Sequence, residues 1–385
     1  MKVARVALDV PLTREFDYLA DDLQADDIGR RVTVPFGRQR LVGVVVGVGD
    51  ASAVPLDKLK AIEALHRETP ALPAECLAFL QFCARYYHHP YGQVLAQALP
   101  PRLRKPAPWK PLRRRPARSA DPISHAVHAL NPCQTAVVEA VSADVAGPHF
   151  AVHVLHGVTG SGKTEVYLAL AQQALAQGRK VLLLVPEINL TPQLEARVRS
   201  HFPDTPVLAL HSELAGNARV QHWLQLGEPG PLLAVGTRLA VLAPLPGLGL
   251  VVVDEEHDPS YKQQEGLRYS ARDMALVRAR DAGCPVLLGS ATPSLETLAQ
   301  VERGRYRLHV LAERADPRAR PPRIDLVDLR SHPAPEGLSA PALALLSATL
   351  ARGEQSLVFI NRRGYAPALW CAECGWSAPC PRCSS

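Results

Sequence analysis

The run Gly157-Val158-Thr159-Gly160-Ser161-Gly162-Lys163-Thr164 has the residue types and spacing of a polyphosphate-binding loop. It follows an apolar stretch, Ala151 to His156, that reads as a strand, and it opens a helical stretch from Lys163 to about Gln177. Glycines let the backbone curl until several N–H groups converge on one anion. The first turn of the helix adds its partial positive charge at the same point. Lys163 then reaches the terminal phosphates, and Thr164 is placed to hold Mg²⁺. A tight turn with a surface lysine would require neither the strand before it nor the helix after it.

A second constellation completes this chemistry. Leu250 to Val253 is a short apolar strand, and Asp254, Glu255, Glu256 and His257 follow at its carboxyl end. That end is where an α/β sheet presents its ligand-binding groups. Asp254 is expected to help hold Mg²⁺, and Glu255 to polarise the water that attacks a nucleoside triphosphate such as ATP. The loop that follows, Tyr261 to Asp273, mixes aromatic, basic and amide side chains. Tyr261, Lys262, Arg268 and Tyr269 there are candidates for stacking on bases and contacting phosphates.

The elements that must position these residues alternate along the middle of the chain. Strands are expected at Ala151–His156, Lys180–Pro186, Val207–Leu210, Leu232–Val235, Gly249–Val253 and Pro285–Leu288, with helices between them. This is the rhythm of a mostly parallel sheet covered on both faces. The lobe is expected to run over residues 131–304. Residues 1–100 read as a small β-rich unit, with strands at Val3–Val10, Arg31–Phe36 and Val42–Val48 and a helix from Pro73 to about Tyr87. Residues 101–130 form a linker dense in proline and arginine, suited to contacting phosphates. Residues 305–370 read as the start of a second α/β lobe, with a helix at about 339–352 and a strand at Ser356–Ile360.

Composition sets outer limits. The chain has 385 residues, too many for one core, and a formal net charge of +6 that suits a polyanionic partner without requiring one. Charges at Asp9 and from Arg14 to Asp17 interrupt any amino-terminal apolar core, so no signal peptide is expected. Apolar runs are only strand-length, so no membrane span is expected, and the cysteine layout suggests a reducing cytoplasm. Cys76, Cys83, Cys133 and Cys284 are isolated and read as core thiols. Cys371, Cys374, Cys380 and Cys383 form two C-x-x-C pairs, each able to supply half of a tetrahedral thiolate zinc site in residues 371–385. One zinc could take all four.

The combination of GSGKT, DEEH and GSAT (Gly289 to Thr292) resembles superfamily 2 helicases. The stretches HGVTGSGKTEVY, VPEINLTPQ, HSEL, VGTRLAVLAPL, DEEHDPSYKQQEGLRYSARDMA, GSATPSLE, FINRRGYAP and CAECGW narrow it to the primosomal protein N′ family, the bacterial replication-restart helicases. At the amino terminus, REFDYL and VTVPFGRQ resemble that family's domain for the 3′ end of a nascent DNA strand. The resemblance implies a RecA-like phosphate-loop lobe, a β-rich DNA-binding domain before it, and a partial second lobe with a zinc module after it. It implies that Phe16, Asp17, Tyr18 and Lys60 line a 3′-end pocket, that Gln134 reads adenine, and that Ser290, Ala291 and Thr292 couple nucleotide to DNA. It also implies ATP-driven 3′-to-5′ unwinding at stalled or repaired forks, two Zn²⁺ per intact protein, and the loading of the replicative helicase. The partners implied are forked and single-stranded DNA, primosome proteins and single-stranded DNA-binding protein.

Two departures from the family pattern shape expectations for this chain. Only about 30 residues separate Pro101 from Asn131, too few for the winged-helix domain that the family carries between its DNA-end domain and its motor. Ser385 lies just past Cys383, before the second-lobe segment that would carry an arginine finger, so the chain is expected to be truncated. It is therefore expected to bind nucleotide and DNA and to unwind poorly or not at all. Two other readings stand beside the helicase: a double-stranded DNA translocase, and a non-catalytic nucleotide- and fork-binding module.

Overall fold

The computed structural model describes residues 2–110, 129–187, 192–315, 318, 323–334, 337–359 and 374. Five antiparallel strands come first: β1 (Lys2–Leu8), β2 (Phe16–Ala20), β3 (Arg31–Phe36), β4 (Gln39–Gly49) and β5 (Ala64–Leu65), in the order β2-β1-β4-β3-β5. Side chains alternate across a sheet. Ala4, Val6 and Leu8 accordingly join Val32, Val34 and Val45 in one core on one face. Ala7 and Val44 point the other way, toward the helices α1 (Ala74–Tyr86) and α2 (Tyr91–Ala98). Both faces are covered, which is why β1 reads as an almost unbroken apolar run. Gly92 lets α2 lie directly on β1, since a Cβ there would sit 1.8 Å from the Leu8 carbonyl oxygen.

The next lobe is a seven-stranded sheet, parallel throughout: β6 (Val152–Gly157), β7 (Lys180–Leu184), β8 (Val207–Leu210), β9 (Leu233–Gly236), β10 (Leu248–Val253), β11 (Val286–Ser290) and β12 (Arg307–Leu311). Its order is β12-β6-β11-β10-β7-β9-β8. Along β10, Leu250 and Val252 face one layer and Val251 and Val253 the other. The first layer holds α3 (Pro132–Ala146), α4 (Lys163–Ala176) and α5 (Pro192–His201). The second holds α6 (Gly216–Gly227) and α7 (Ala271–Ala282), with α8 (Leu295–Glu302) following β11.

Helices α1 and α2 belong to that second layer. Phe79, Leu80, Cys83, Val94 and Leu95 share one core with Trp223 of α6 and Met274 of α7. The Trp223 indole donates to the Ala98 carbonyl at 2.9 Å, and the Arg278 guanidinium sits 5.2 Å from the Phe79 ring centre. The five strands keep an apolar core of their own, while α1 and α2 join the next lobe, so that residues 1–319 form one compact unit and 320–385 a second. The cause is an apolar helix surface on α1 and α2 that their own sheet cannot cover alone.

Three expectations are corrected. The seven-stranded sheet extends past residue 304, because β12 pairs with β6 in the register Arg307↔His153 to Leu311↔Gly157. β12 is an edge strand with mostly exposed side chains, so it lacks the continuous apolar signal of its neighbours. The strand expected at Ser356–Ile360 is absent over 356–359, where the backbone is irregular and Leu357 and Phe359 are exposed, and Ile360 lies outside the described residues. An apolar run encodes a wish for burial, whereas a strand also needs a neighbour to pair with. Cys133 is exposed on the first turn of α3, unlike the buried Cys76, Cys83 and Cys284. The helix expected near 339–352 is present as α9 (Ala340–Ala351), with no buried side chain. Residues 111–128 of the basic linker, and Cys371, Cys380 and Cys383, lie outside the described residues. Among the described residues no helix is long and apolar enough to cross a membrane.

β12 is pinned by a polar chain at its junction with β6. His153 is fully buried, with Nε2 3.0 Å from Asp144 Oδ2 and Nδ1 3.0 Å from His309 Nε2. His149 and Arg307 also reach Asp144. An ionised Asp144 accepts from His153 Nε2–H, so His153 Nδ1 must accept from His309 Nε2–H. Burial, followed by the charge of His309, pushes His153 down to about 4. Burial raises Asp144, but the His149 hydrogen bond and the Arg307 charge outweigh it and leave its pKa lowered. Both groups contribute stability that is lost as pH falls, His153 between its unfolded value of about 6.5 and its folded value of about 4. The melting temperature should therefore fall over that window, and His153→Gln, which takes up no proton, should blunt the fall. Equal falls in parent and variant would place the acid sensitivity elsewhere.

Candidate functional site

The phosphate loop leaves β6 and enters α4 through two left-handed glycines, Gly160 at φ 80° and Gly162 at φ 79°. Gly162 caps α4, and a Cβ there would lie 2.3 Å from Gln134 Nε2. Gln134 itself sits in a capping box with Asn131 and donates from Nε2 to the Ser161 carbonyl at 3.0 Å. The adenine-reading candidate thus braces the loop from α3. Ser161 Oγ is buried and has no hydrogen-bond partner among the described residues. Lys163 Nζ donates to the Gly157 carbonyl at 3.0 Å and lies 3.5 Å from Glu255 Oε1. Thr159 to Thr164, Gln134, Arg197, Asp254 and Glu255 line one cleft of about 770 Å³ at the carboxyl end of the sheet. Val158 is exposed at the start of the turn.

The acidic run divides in two directions as it leaves β10. Asp254 accepts from the Tyr167 hydroxyl at 2.9 Å. Burial holds its carboxyl above the ordinary value, with the Tyr167 hydrogen bond acting against that. Gly289 makes this contact possible, since a Cβ there would fall 1.7 Å from the Tyr167 oxygen. Glu255 takes φ 45°, a left-handed conformation that costs a non-glycine residue energy, and its side chain enters the cleft beside Lys163.

Glu256 and His257 turn away from the cleft. Glu256 is 2% exposed and accepts from the Ser294 backbone at 2.6 Å, Thr297 Oγ1 at 2.9 Å and Arg272 Nη1 at 3.1 Å. His257 Nδ1 lies 2.7 Å from Ser290 Oγ, and its Nε2 lies 3.4 Å from Thr292 Oγ1. The sequence groups all four residues as catalytic. The fold separates them: Asp254 and Glu255 line the cleft, Glu256 ties the run to Arg272 of α7 and to Ser294 and Thr297, and His257, 3.6 Å from Glu255 Oε2, ties it to Ser290 and Thr292.

A second pocket of about 460 Å³ lies on the amino-terminal sheet, lined by Arg14, Phe16, Asp17, Tyr18, Phe36 and Lys60, among others. Phe16 and Phe36 meet edge to face at 5.2 Å. Ser52 donates to Asp17 Oδ2 at 2.6 Å, and the Lys60 carbonyl accepts from Leu19 N at 2.9 Å. Tyr18 is buried, and its hydroxyl reaches the Pro35 carbonyl at 3.3 Å, so it forms a wall while Phe16 keeps an open edge. The four residues singled out from the sequence converge here.

The loop after the acidic run departs from expectation. Tyr261 and Tyr269 are buried, with hydroxyls bound to the carbonyls of Asp254 at 2.6 Å and Arg238 at 3.0 Å. They are packing residues and offer no face to a base, because their hydroxyls satisfy backbone carbonyls beside the site. Lys262 and Arg268 are exposed. Arg197, paired with Glu165 at the mouth of the cleft, carries no motif signal, and Tyr167, though it closes the stretch HGVTGSGKTEVY, gives no sign in sequence of its bond to Asp254.

This division is testable. Glu256→Gln should lower stability by ~1.5–3 kcal/mol, the range for a hydrogen bond to a charged group, and leave nucleotide affinity at the parent value. Thermal melts and titration with a fluorescent nucleotide read both. A loss of affinity without a loss of stability would place Glu256 in the cleft.

Comparison with known proteins fits these two sites. Residues 5–100 match the 3′ DNA-binding domain (3′BD) family of PriA, and residues 131–301 match the DEAD/DEAH box helicase family. The replication restart protein PriA of Haemophilus influenzae is 36% identical over 452 residues, covering 100% of this chain and 62% of that protein. The PriA of Treponema pallidum is 37% identical over 388 residues, covering 98% and 57%. The chain thus spans less than two thirds of the length of these relatives. The first alignment is longer than the 385 residues here, so that relative carries residues with no counterpart in this chain. With a 3′ DNA-binding domain ahead of a helicase lobe, the chain matches the PriA-family replication-restart proteins.

Proposed function

We propose that this chain supplies the ATP-binding lobe and DNA-end pocket of an ATP-dependent 3′-to-5′ DNA helicase. The intact protein would recognise stalled or repaired forks and begin primosome assembly for replication restart. The observation that carries the proposal is the convergence of Lys163, Glu255 and Asp254 on a loop whose buried Ser161 hydroxyl lacks a partner. Among the described residues, the buried hydroxyl is unsatisfied and the lysine meets one carbonyl and one carboxylate, which suits a phosphate ligand.

In this mechanism Lys163 exchanges its Gly157 and Glu255 contacts for the phosphates. That release frees Glu255 to orient the attacking water and accept its proton. Thr164 and Asp254 would hold Mg²⁺, which would supply charge neutralisation of the phosphates. His257 and Glu256 relay changes in the acidic run to Ser290, Ala291 and Thr292 and to α7. Forked DNA with a nascent 3′ end occupies the Phe16–Lys60 pocket. Cys371, Cys374, Cys380 and Cys383 contribute to the two Zn²⁺ sites of the intact protein. Single-stranded DNA-binding protein and primosome proteins are its partners, and its compartment is the cytoplasm.

The experiment is ATP binding and steady-state hydrolysis by the purified chain, with and without a fork bearing a 3′ end at the branch. ATP should bind with Mg²⁺, and Lys163→Ala should weaken it by roughly tenfold or more, the loss of one charge-assisted contact. DNA-dependent hydrolysis lost in Lys163→Ala would identify a working motor. Binding without hydrolysis would favour a nucleotide- and fork-binding module, and no ATP binding would overturn the proposal.

A further inference from the structure

Tyr86, at the end of α1, is 61% exposed although it lies beside the deeply packed Cys83. Its ring is nonetheless held in place. It stacks on Phe82 at 5.6 Å with 19° between the planes, and meets Tyr87 edge-on at 5.0 Å. Cations surround this trio. Lys262 Nζ lies 5.4 Å from the Tyr87 ring centre, and Arg280 Cζ lies 5.9 Å from that of Phe82. Arg85 and Arg268 are exposed nearby in sequence to Tyr86 and to Tyr269. Acids temper the patch without cancelling it: Asp281 pairs with Arg280 at 2.8 Å, Asp273 pairs with Arg272 at 2.9 Å, and Glu265 is exposed.

We infer that Tyr86, flanked by Tyr87, Lys262 and Arg280, is a base-stacking contact for single-stranded DNA, separate from the 3′-end pocket. The inference rests on the DNA-motor function proposed above and locates one of its contacts. An exposed aromatic ring already fixed by its neighbours stacks on any base at little entropic cost, and adjacent cations hold the backbone phosphates. The buried Tyr261 and Tyr269 leave the loop after β10 without an exposed ring, and α1 supplies one from a distant part of the chain. The platform is joined to the acidic run after β10 by a chain of contacts. The Tyr87 hydroxyl accepts from Ser270 N at 3.0 Å, Ser270 caps α7, and Arg272 of α7 binds Glu256. Ligand on this face therefore bears on the segment that carries Glu255.

The test uses the full chain and a fluorescent circular oligothymidylate, which has no 3′ end for the Phe16 pocket. Tyr86→Ala should weaken binding roughly 5- to 100-fold, the range for losing one base–aromatic stack. Tyr86→Phe should bind like the parent, and photo-crosslinking of bromodeoxyuridine in the circle should map to Tyr86. Parent-like affinity in Tyr86→Ala would overturn the platform alone. Tyr86→Phe as weak as Tyr86→Ala would overturn stacking as its basis. A parent that binds no single strand would overturn the platform and the DNA-motor function together.

Discussion

A parallel sheet must be covered on both faces, because its strands carry apolar side chains in both directions. In this protein that requirement recruits helices from outside the lobe. α3, α4 and α5 cover one face, and α6 and α7 cover the other together with α1 and α2 of the amino-terminal residues. The coverage fixes the carboxyl ends of β6, β7, β10 and β11, from which the cleft residues project. It also places α1 against α7 and the loop before it, where the DNA-contact residues proposed above lie.

Within that frame the cleft depends on a few close approaches. Gly162 admits Gln134, and Gly289 admits Tyr167, each at a distance that a Cβ would forbid. Tyr167 in turn holds Asp254. The strained backbone of Glu255 is the point at which the acidic run divides. One residue at a positive φ sends its own side chain into the cleft beside Lys163 and the following side chain to Ser294, Thr297 and Arg272. A regular conformation could not serve both sides.

Much of the lobe was legible in the sequence, because buried parallel strands leave contiguous apolar runs and the phosphate loop has a fixed grammar of glycine, lysine and threonine. Val207–Leu210 and Arg31–Phe36 were found with their observed bounds. β12 escaped because an edge strand needs only one neighbour and little apolar surface. The apolar run at 356–359 misled for the opposite reason, being apolar without a strand beside it. Tyr261 and Tyr269 look alike in sequence whether they stack on a base or plug a core, and only the carbonyls of Asp254 and Arg238 decide it. Tyr86 and Arg197 gain their significance from residues far along the chain, which no local pattern records.

The core shared by α1, α2, α6 and α7 has a geometric consequence. Trp223 and Ala98, Phe79 and Arg278, and Cys83 and Met274 meet as packed interior. Close-packed interiors transmit displacement and yield little. If a strand end is seated against Phe16 as proposed, its distance from Lys163 is set by this shared core. A change in span between that terminus and the nucleotide cleft would then fall on the DNA, and the unit would act as a caliper with one fixed jaw.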